Sequence, residues 1–134
     1  MRRNQGTLNA QLARVISELG HTDTIVVTDA GLPIPRDVER VDLAVRENLP
    51  RFLDLLDAVL DEVAVEGVLL SEEIKQHSPD MLAAIEERFD RLGLALEFVP
   101  HTAFKQATAG ARAAVRSGEF TPYANVLLTA GVVY

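Results

Sequence analysis

The sequence predicts an α/β fold: a single layered domain over residues 1–134, with a central sheet flanked by helices. Three observations carry this. Short β-branched runs alternate with amphipathic helical stretches from one end to the other. Apolar residues make up 48% of the chain but aromatics only 5%, so the core must be aliphatic. No linker, internal repeat or low-complexity segment interrupts the pattern, and 134 residues suit one domain with a continuous core.

The elements follow in order. Asn9 can cap a helix whose apolar face is Leu12, Val15, Ile16 and Leu19, with Gly20 to end it. Thr24–Thr28 reads as a short buried strand, followed by a loop that Gly31, Pro33 and Pro35 stiffen. A second short strand is expected over Val41–Ala44. Pro50 suits a first helical turn, and Phe52, Leu55, Leu56, Val59 and Leu60 line that helix's face. Val63–Leu70 is β-like, and Glu72–His77 suits a short helical turn. Ser78-Pro79 opens a helix with Leu82, Ile85 and Phe89 inward and Gly93 near its end. Ala95–Val99 alternates like a strand. Thr102 can cap a helix over Phe104, Ala107, Ala111 and Val115 that Gly118 stops, and Asn125–Tyr134 reads as the last strand. The apolar end of that run is expected in the sheet or against another subunit, because most chain ends fray in solvent.

Charge and composition narrow the function. With 20 acidic and 13 basic residues the formal net charge is −7. That disfavours a nucleic-acid partner, which needs a basic face, and an anionic membrane surface. There is no Cys, so thiol nucleophiles, disulfides and Cys-based zinc sites are excluded. No stretch has the apolar length of a signal peptide core or a membrane span, and a cytoplasmic location is the default expectation. No phosphate-binding glycine loop and no Gly-x-Ser-x-Gly elbow is present.

The chemistry concentrates in a few positions. His21 follows a helix end, where the dipole favours a charged imidazole; its simple alternative is a capping or hydrogen-bonding role. Asp23 suits a local backbone cap. Asp29 falls at the carboxyl end of its strand, where α/β sheets collect ligands, and an Asx-turn is the simple alternative. His101 also follows a strand end, with Lys105 one helical turn on; an exposed His and a solvated Lys are the simple reading. Tyr123-Ala124-Asn125 leads into the last strand, and Tyr and Asn supply the hydroxyl and amide that suit a sugar. His77 reads as a solvated helix-end residue. Asp54, Asp57, Asp61 and Glu62 read as a solvated face. His21-Thr22-Asp23 has no spacing of a known metal motif, so no metal is expected.

Taken together, several blocks resemble the D-ribose pyranase family. They are Leu19-Gly20-His21-Thr22-Asp23-Thr24, Asp29-Ala30-Gly31-Leu32-Pro33-Ile34-Pro35, Glu72-Glu73-Ile74-Lys75, His101 with Phe104-Lys105-Gln106, Arg116-Ser117-Gly118-Glu119 through Asn125, and Ala130-Gly131-Val132. The Gly31–Pro35 loop favours this branch over the related fucose mutarotases. The resemblance implies a ring-shaped homodecamer with sites at subunit contacts. It implies interconversion of β-D-ribopyranose and β-D-ribofuranose, feeding ribose to a kinase. By resemblance His21 is the proton donor, and Asp29, His101, Tyr123, Ala124 and Asn125 bind the sugar. Lys105 is a weaker candidate for a hydroxyl contact. Phe120-Thr121 departs from what relatives often carry, and the segment from Arg88 to Leu96 looks shortened.

Such a reaction needs no cofactor. A proton goes onto the ring oxygen, one leaves the anomeric hydroxyl, and a different hydroxyl recloses the ring. A positioned His is worth roughly 10²–10⁴-fold in such a step. In this picture Asp29 either orients His21 or holds a hydroxyl. The alternatives are a mutarotase for fucose or another sugar, a ribose-binding module without turnover, and a metal-dependent isomerase that a chelator would silence.

Overall fold

Asn9 begins the fold as its spacing predicts: its side chain accepts the Leu12 N–H at 2.9 Å and starts α1 (Ala10–Glu18). The computed structural model describes residues 1–134. After α1 come β1 (Thr24–Thr28), β2 (Glu39–Asp42), α2 (Phe52–Leu60), β3 (Val65–Ser71), α3 (Ile74–His77), α4 (Pro79–Arg91), β4 (Glu97–Val99), α5 (His101–Thr108), β5 (Ala113–Arg116) and β6 (Val126–Ala130). The strands form one sheet in the order β2-β5-β1-β6-β3-β4. β6 runs antiparallel to both its neighbours, and every other pairing is parallel. One edge of the sheet therefore gathers the carboxyl ends of five strands and the amino end of β6.

Side chains alternate across the sheet with period two. On one face Ile25, Val27, Val115 and Leu128 join Leu12 and Val15 of α1, Phe52, Leu56 and Val59 of α2, Ile74 of α3, and Ile85 and Phe89 of α4. On the other face Val26, Ala114 and Leu127 pack with Phe104 of α5, Leu32 and Val38. Both faces are covered, as the aliphatic composition requires. Phe52, Phe89 and Phe104 are fully buried, each contributing about 1.5–3 kcal/mol relative to exposure. No helix is long and apolar enough to cross a membrane.

The structure revises several expected elements. β2 starts two residues earlier than expected and ends at Asp42. Pro50 lies outside α2, whose N-cap is Arg51. The largest revision concerns residues 101–118. α5 starts at His101 and stops at Thr108, and Ala113–Arg116 is a strand. The spacing of Phe104, Ala107, Ala111 and Val115 mimics a helix across this break. Ala113, Ala114 and Val115 instead fill the gap between β1 and β2, where they are buried on both sides. Tertiary packing overrides the helix propensity of alanine here.

Gly118 ends no helix. A Cβ there would come within 2.4 Å of the Arg46 carbonyl oxygen and 2.5 Å of that of Leu49, so only glycine lets these backbones touch. At the far end, β6 stops at Ala130. Val132, Val133 and Tyr134 are exposed rather than paired in the sheet.

Candidate functional site

The carboxyl edge of the sheet holds a polar cluster built from three strand ends. Asp29 follows β1, and Asn125 precedes β6, which pairs with β1. Asn125 is buried, with 1% of its surface exposed, and its Oδ1 accepts the Asp29 N–H at 2.8 Å. Its Nδ2 donates to Asp29 Oδ2 at 3.3 Å. Asp29 Oδ1 accepts the N–H groups of Gly31 and Leu32 at 3.0 and 2.8 Å. The Asx-turn reading of Asp29 therefore holds through Oδ1, while Oδ2 faces the cluster. Burial raises the Asp29 carboxyl above the ordinary Asp range, against the lowering effect of these hydrogen bonds and of nearby His101.

His101 stands beside the carboxyl ends of β3 and β4. Ser71, the last residue of β3, shares a 2.8 Å hydrogen bond with His101 Nδ1. Glu73 accepts the His101 backbone N–H through both its oxygens, at 3.1 and 3.0 Å. The His101 ring meets the Tyr123 ring edge-on, with centroids 5.0 Å apart. Tyr123 takes a left-handed φ of 63°, a conformation that costs a non-glycine residue on the order of 1 kcal/mol. The surrounding segment holds it there: Asn125 N–H donates to the Tyr123 carbonyl at 2.8 Å. Such strain clusters at functional sites.

The other expected residues divide. The Ala124 side chain is fully buried in the core, so only its backbone is left for a ligand. Lys105 is exposed and forms no hydrogen bond or ion pair with the cluster. His77 is exposed as expected, yet its ring lies 5.3 Å from that of Tyr123. Ser71 and the contacts of Glu73 and His77 went unread because their partners are distant in sequence. The Glu72-Glu73-Ile74-Lys75 block marked the neighbourhood without a role for each residue.

Two cavities flank the cluster. The larger, about 680 Å³, includes His77, Ser78, Glu119, Phe120 and Pro122 in its wall. The smaller, about 370 Å³, is lined by Asp29, Ala30, Gly31, Arg116, Glu119 and Phe120. Buried Glu119 links them: its carboxylate accepts the Phe52 N–H at 3.0 Å and the Thr121 hydroxyl at 2.7 Å. Neither cavity encloses Asp29, His101 and Tyr123 together, so in a single chain the cluster is an open shelf.

His21 is elsewhere. It precedes β1, so the whole of that strand, roughly 16 Å, separates it from Asp29. Of the two roles expected of Asp29, orienting His21 is therefore not met within one chain. The partner of His21 is Glu66 near the start of β3, with Nε2 and Oε2 2.9 Å apart. The turn that carries His21 is tightly held. Asp23 accepts the Gly20 N–H at 2.8 Å, the local cap expected of it, and pairs with Arg112 at 3.1 Å. The hydrogen bond from Gly20 is the main reason the Asp23 carboxyl sits below the usual range. Thr22 takes φ 70° and donates its N–H to Ala130 O at 2.9 Å. Across the whole chain, no group of three or more His, Asp or Glu side chains converges as metal ligands do.

A mixed α/β sheet bearing amide, carboxylate, imidazole and phenol groups at one edge defines a small polar-ligand domain. Comparison with known proteins gives the particular family. Residues 2–133 match the RbsD / FucU transport protein family, and the chain belongs to it. A D-ribose pyranase of Laribacter hongkongensis is 52% identical over 134 residues, all of both chains. One of Geobacillus kaustophilus is 46% identical over 132 residues, 98% of this chain and 96% of that one. Among solved structures, Bacillus subtilis RbsD complexed with D-ribose superposes with a TM-score of 0.94 at 41% identity, covering 99% of this chain and 100% of that chain. The fucose mutarotase of Streptococcus pneumoniae, in complex with L-fucose, shares the fold at TM-score 0.80 and 23% identity, with both chains fully covered.

Proposed function

We propose that this chain is a D-ribose pyranase, an intramolecular isomerase that interconverts β-D-ribopyranose and β-D-ribofuranose. The observation that carries the reading is the cluster of Asp29, His101, Tyr123 and Asn125 at one sheet edge, in a chain that superposes closely on a relative holding D-ribose.

Asp29 Oδ2, Asn125 and the Tyr123 hydroxyl receive the sugar's hydroxyls, and His101 is held by Ser71 to join them. His21 is the acid. It gives a proton to the ring oxygen as the bond from that oxygen to the anomeric carbon breaks. The anomeric hydroxyl loses its proton to water and becomes the aldehyde. The other hydroxyl then attacks the aldehyde and returns a proton to His21, while water protonates the new anomeric oxygen. A proton shuttle near neutral pH is what imidazole supplies.

Because His21 lies at the far edge of its own sheet, the site is completed by a second copy, whose His21 turn meets the shelf. Exposed His21 supports this, as do exposed Val133 and Tyr134 beside an apolar cavity of about 280 Å³ that includes Ile16, Leu19, Val63 and Ala64. We extend the reading to a ring-shaped homodecamer in the cytoplasm.

The test is NMR saturation transfer between the ring forms of ribose, with fucose as the control. Fast exchange for ribose is expected, and ribose binding without faster exchange would make the chain a binding module. Mixed assemblies test the shared site. His21→Ala and Asp29→Ala chains, each inactive alone, should regain about a quarter of wild-type exchange when mixed at random, since one site in four then draws both intact residues. No recovery would show that two chains do not complement one another at one site and would overturn the shared arrangement.

A further inference from the structure

We propose that Glu66 is the positioning residue of His21, fixing which imidazole nitrogen carries the transferred proton. This rests on the pyranase reading. Glu66 Oε2 lies 2.9 Å from His21 Nε2. An ionised carboxylate only accepts hydrogen bonds, so Nε2 bears a hydrogen and donates it. The neutral ring then keeps its lone pair on Nδ1, and the charged ring has a free Nδ1–H. Nδ1 is the atom left to face the sugar.

The fold aims Glu66 at this task in two independent ways. First, Val65 pairs with Ala130 and Gly67 with Thr129, so Glu66 is the extra residue of a β-bulge. Bulges re-aim a side chain at the rim of a sheet, often beside active sites. Second, Gly131 leaves the slot that the side chain occupies. A Cβ at Gly131 would stand 3.3 Å from Glu66 Cβ and 3.4 Å from its Oε2.

The backbone ties these parts into one unit. Thr22 N–H donates to Ala130 O, Ala130 N–H to Asp23 O, and Gly131 N–H to Ala64 O, at 2.9, 2.8 and 2.7 Å. The His21 turn, the end of β6 and the start of β3 therefore hold a fixed relation. The two side chains are 53% and 44% exposed. An ion pair so exposed contributes little to stability, so holding the fold together does not account for the bulge and slot.

During opening, Nδ1–H passes its proton to the ring oxygen as the ring bond breaks, and the anomeric hydroxyl gives its proton to water. On reclosure Nδ1 takes the proton of the attacking hydroxyl. Nε2–H stays on Glu66 throughout, so the ring cannot turn or change tautomer between the two transfers.

The test combines ribose exchange with ¹⁵N NMR of the His21 ring. In the wild type, Nε2 should read as protonated and Nδ1 as the titrating nitrogen. Glu66→Ala should lower kcat roughly ten- to a hundredfold with KM changed less than about twofold, because sugar contacts are intact. Its His21 should show mixed tautomers. Glu66→Gln, of the same shape and still an acceptor, should keep the Nε2–H tautomer and recover part of the rate, which a folding defect would not do. Wild-type exchange in Glu66→Ala, or an unchanged tautomer there, would overturn the inference and leave the pyranase reading standing. A wild-type chain that does not speed ribose exchange would overturn the pyranase reading and this inference together.

Discussion

The two edges of the sheet carry different kinds of site. At the carboxyl edge, Asp29, Asn125, Ser71 and His101 are buried or half-buried and hold one another by side-chain hydrogen bonds. At the opposite edge, His21 and Glu66 are exposed, and the rigidity lies in the backbone beneath them. Each edge has a strained non-glycine residue beside its key group, Tyr123 at one and Thr22 at the other. Under the proposed function the contrast separates two tasks. Recognition needs groups fixed against many partners. A proton donor needs an accessible atom on a stiff mount, and in the proposed assembly it serves a neighbour's shelf.

Substitutions can break this contrast, and the largest effect is expected at the exposed edge. His21→Ala should slow ribose ring exchange by roughly 10²–10⁴-fold while sugar affinity and the unfolding midpoint change little. Saturation transfer and thermal melting read both, and wild-type exchange in this variant would move the acid elsewhere.

Behind the carboxyl edge, Gly118→Ala should act through folding instead. The new methyl meets two backbone oxygens, which cannot swing away as a side chain would. A loss of about 1–3 kcal/mol is expected, measured by urea unfolding. An undiminished midpoint would show that the Arg46–Leu49 loop yields easily.

Asp29→Ala should do both kinds of damage. Two backbone N–H groups and the Asn125 amide lose their acceptor, costing about 1–3 kcal/mol of stability. Ribose binding by calorimetry should fall with it. Normal binding in a destabilised variant would make Asp29 a turn residue alone.

Ser71→Ala removes the partner of His101 Nδ1 and should cost about 0.5–1.5 kcal/mol, seen as weaker ribose binding more than as slower exchange at saturation. A fall in saturated rate with unchanged binding would give His101 part of the proton transfer.

The smallest effect is a pH dependence. Burial raises the Asp29 carboxyl in the folded chain. The unfolded chain therefore releases this proton first, and as pH climbs from the ordinary Asp range through the folded value, Asp29 lowers stability. Acidification through that window restores it. The difference in unfolding free energy between wild type and Asp29→Asn should change in this window and be flat above it. A flat difference throughout would mean that the hydrogen bonds to Asp29 offset its burial.

Legibility in the sequence followed the range of the interactions. α1 with its Asn9 cap, β1 to the residue, and the Asp29 turn were readable because capping, β-branching and Asx-turns are set within a few neighbours. β5 was misread because its small residues look helical until β1 and β2 are placed on either side. Lys105 was read as sharing a face with His101, yet nothing in the fold brings it a polar partner. Ser71, Glu73 and Glu66 touch histidines 28 to 45 positions away, and no local pattern encodes such pairs.

By itself, then, the sequence determined the α/β class, the aliphatic core and the candidate groups. These depend on periodicity and on the chemistry of single side chains. Only the tertiary structure decided which groups meet. The one antiparallel strand, β6, brings Asn125 to Asp29 at one edge and Ala130 to the His21 turn at the other. Strand direction and order are settled by packing across the whole sheet, so neither meeting could be read locally, whereas the separation of His21 from Asp29 follows from β1 itself, which fills most of the seven positions between them.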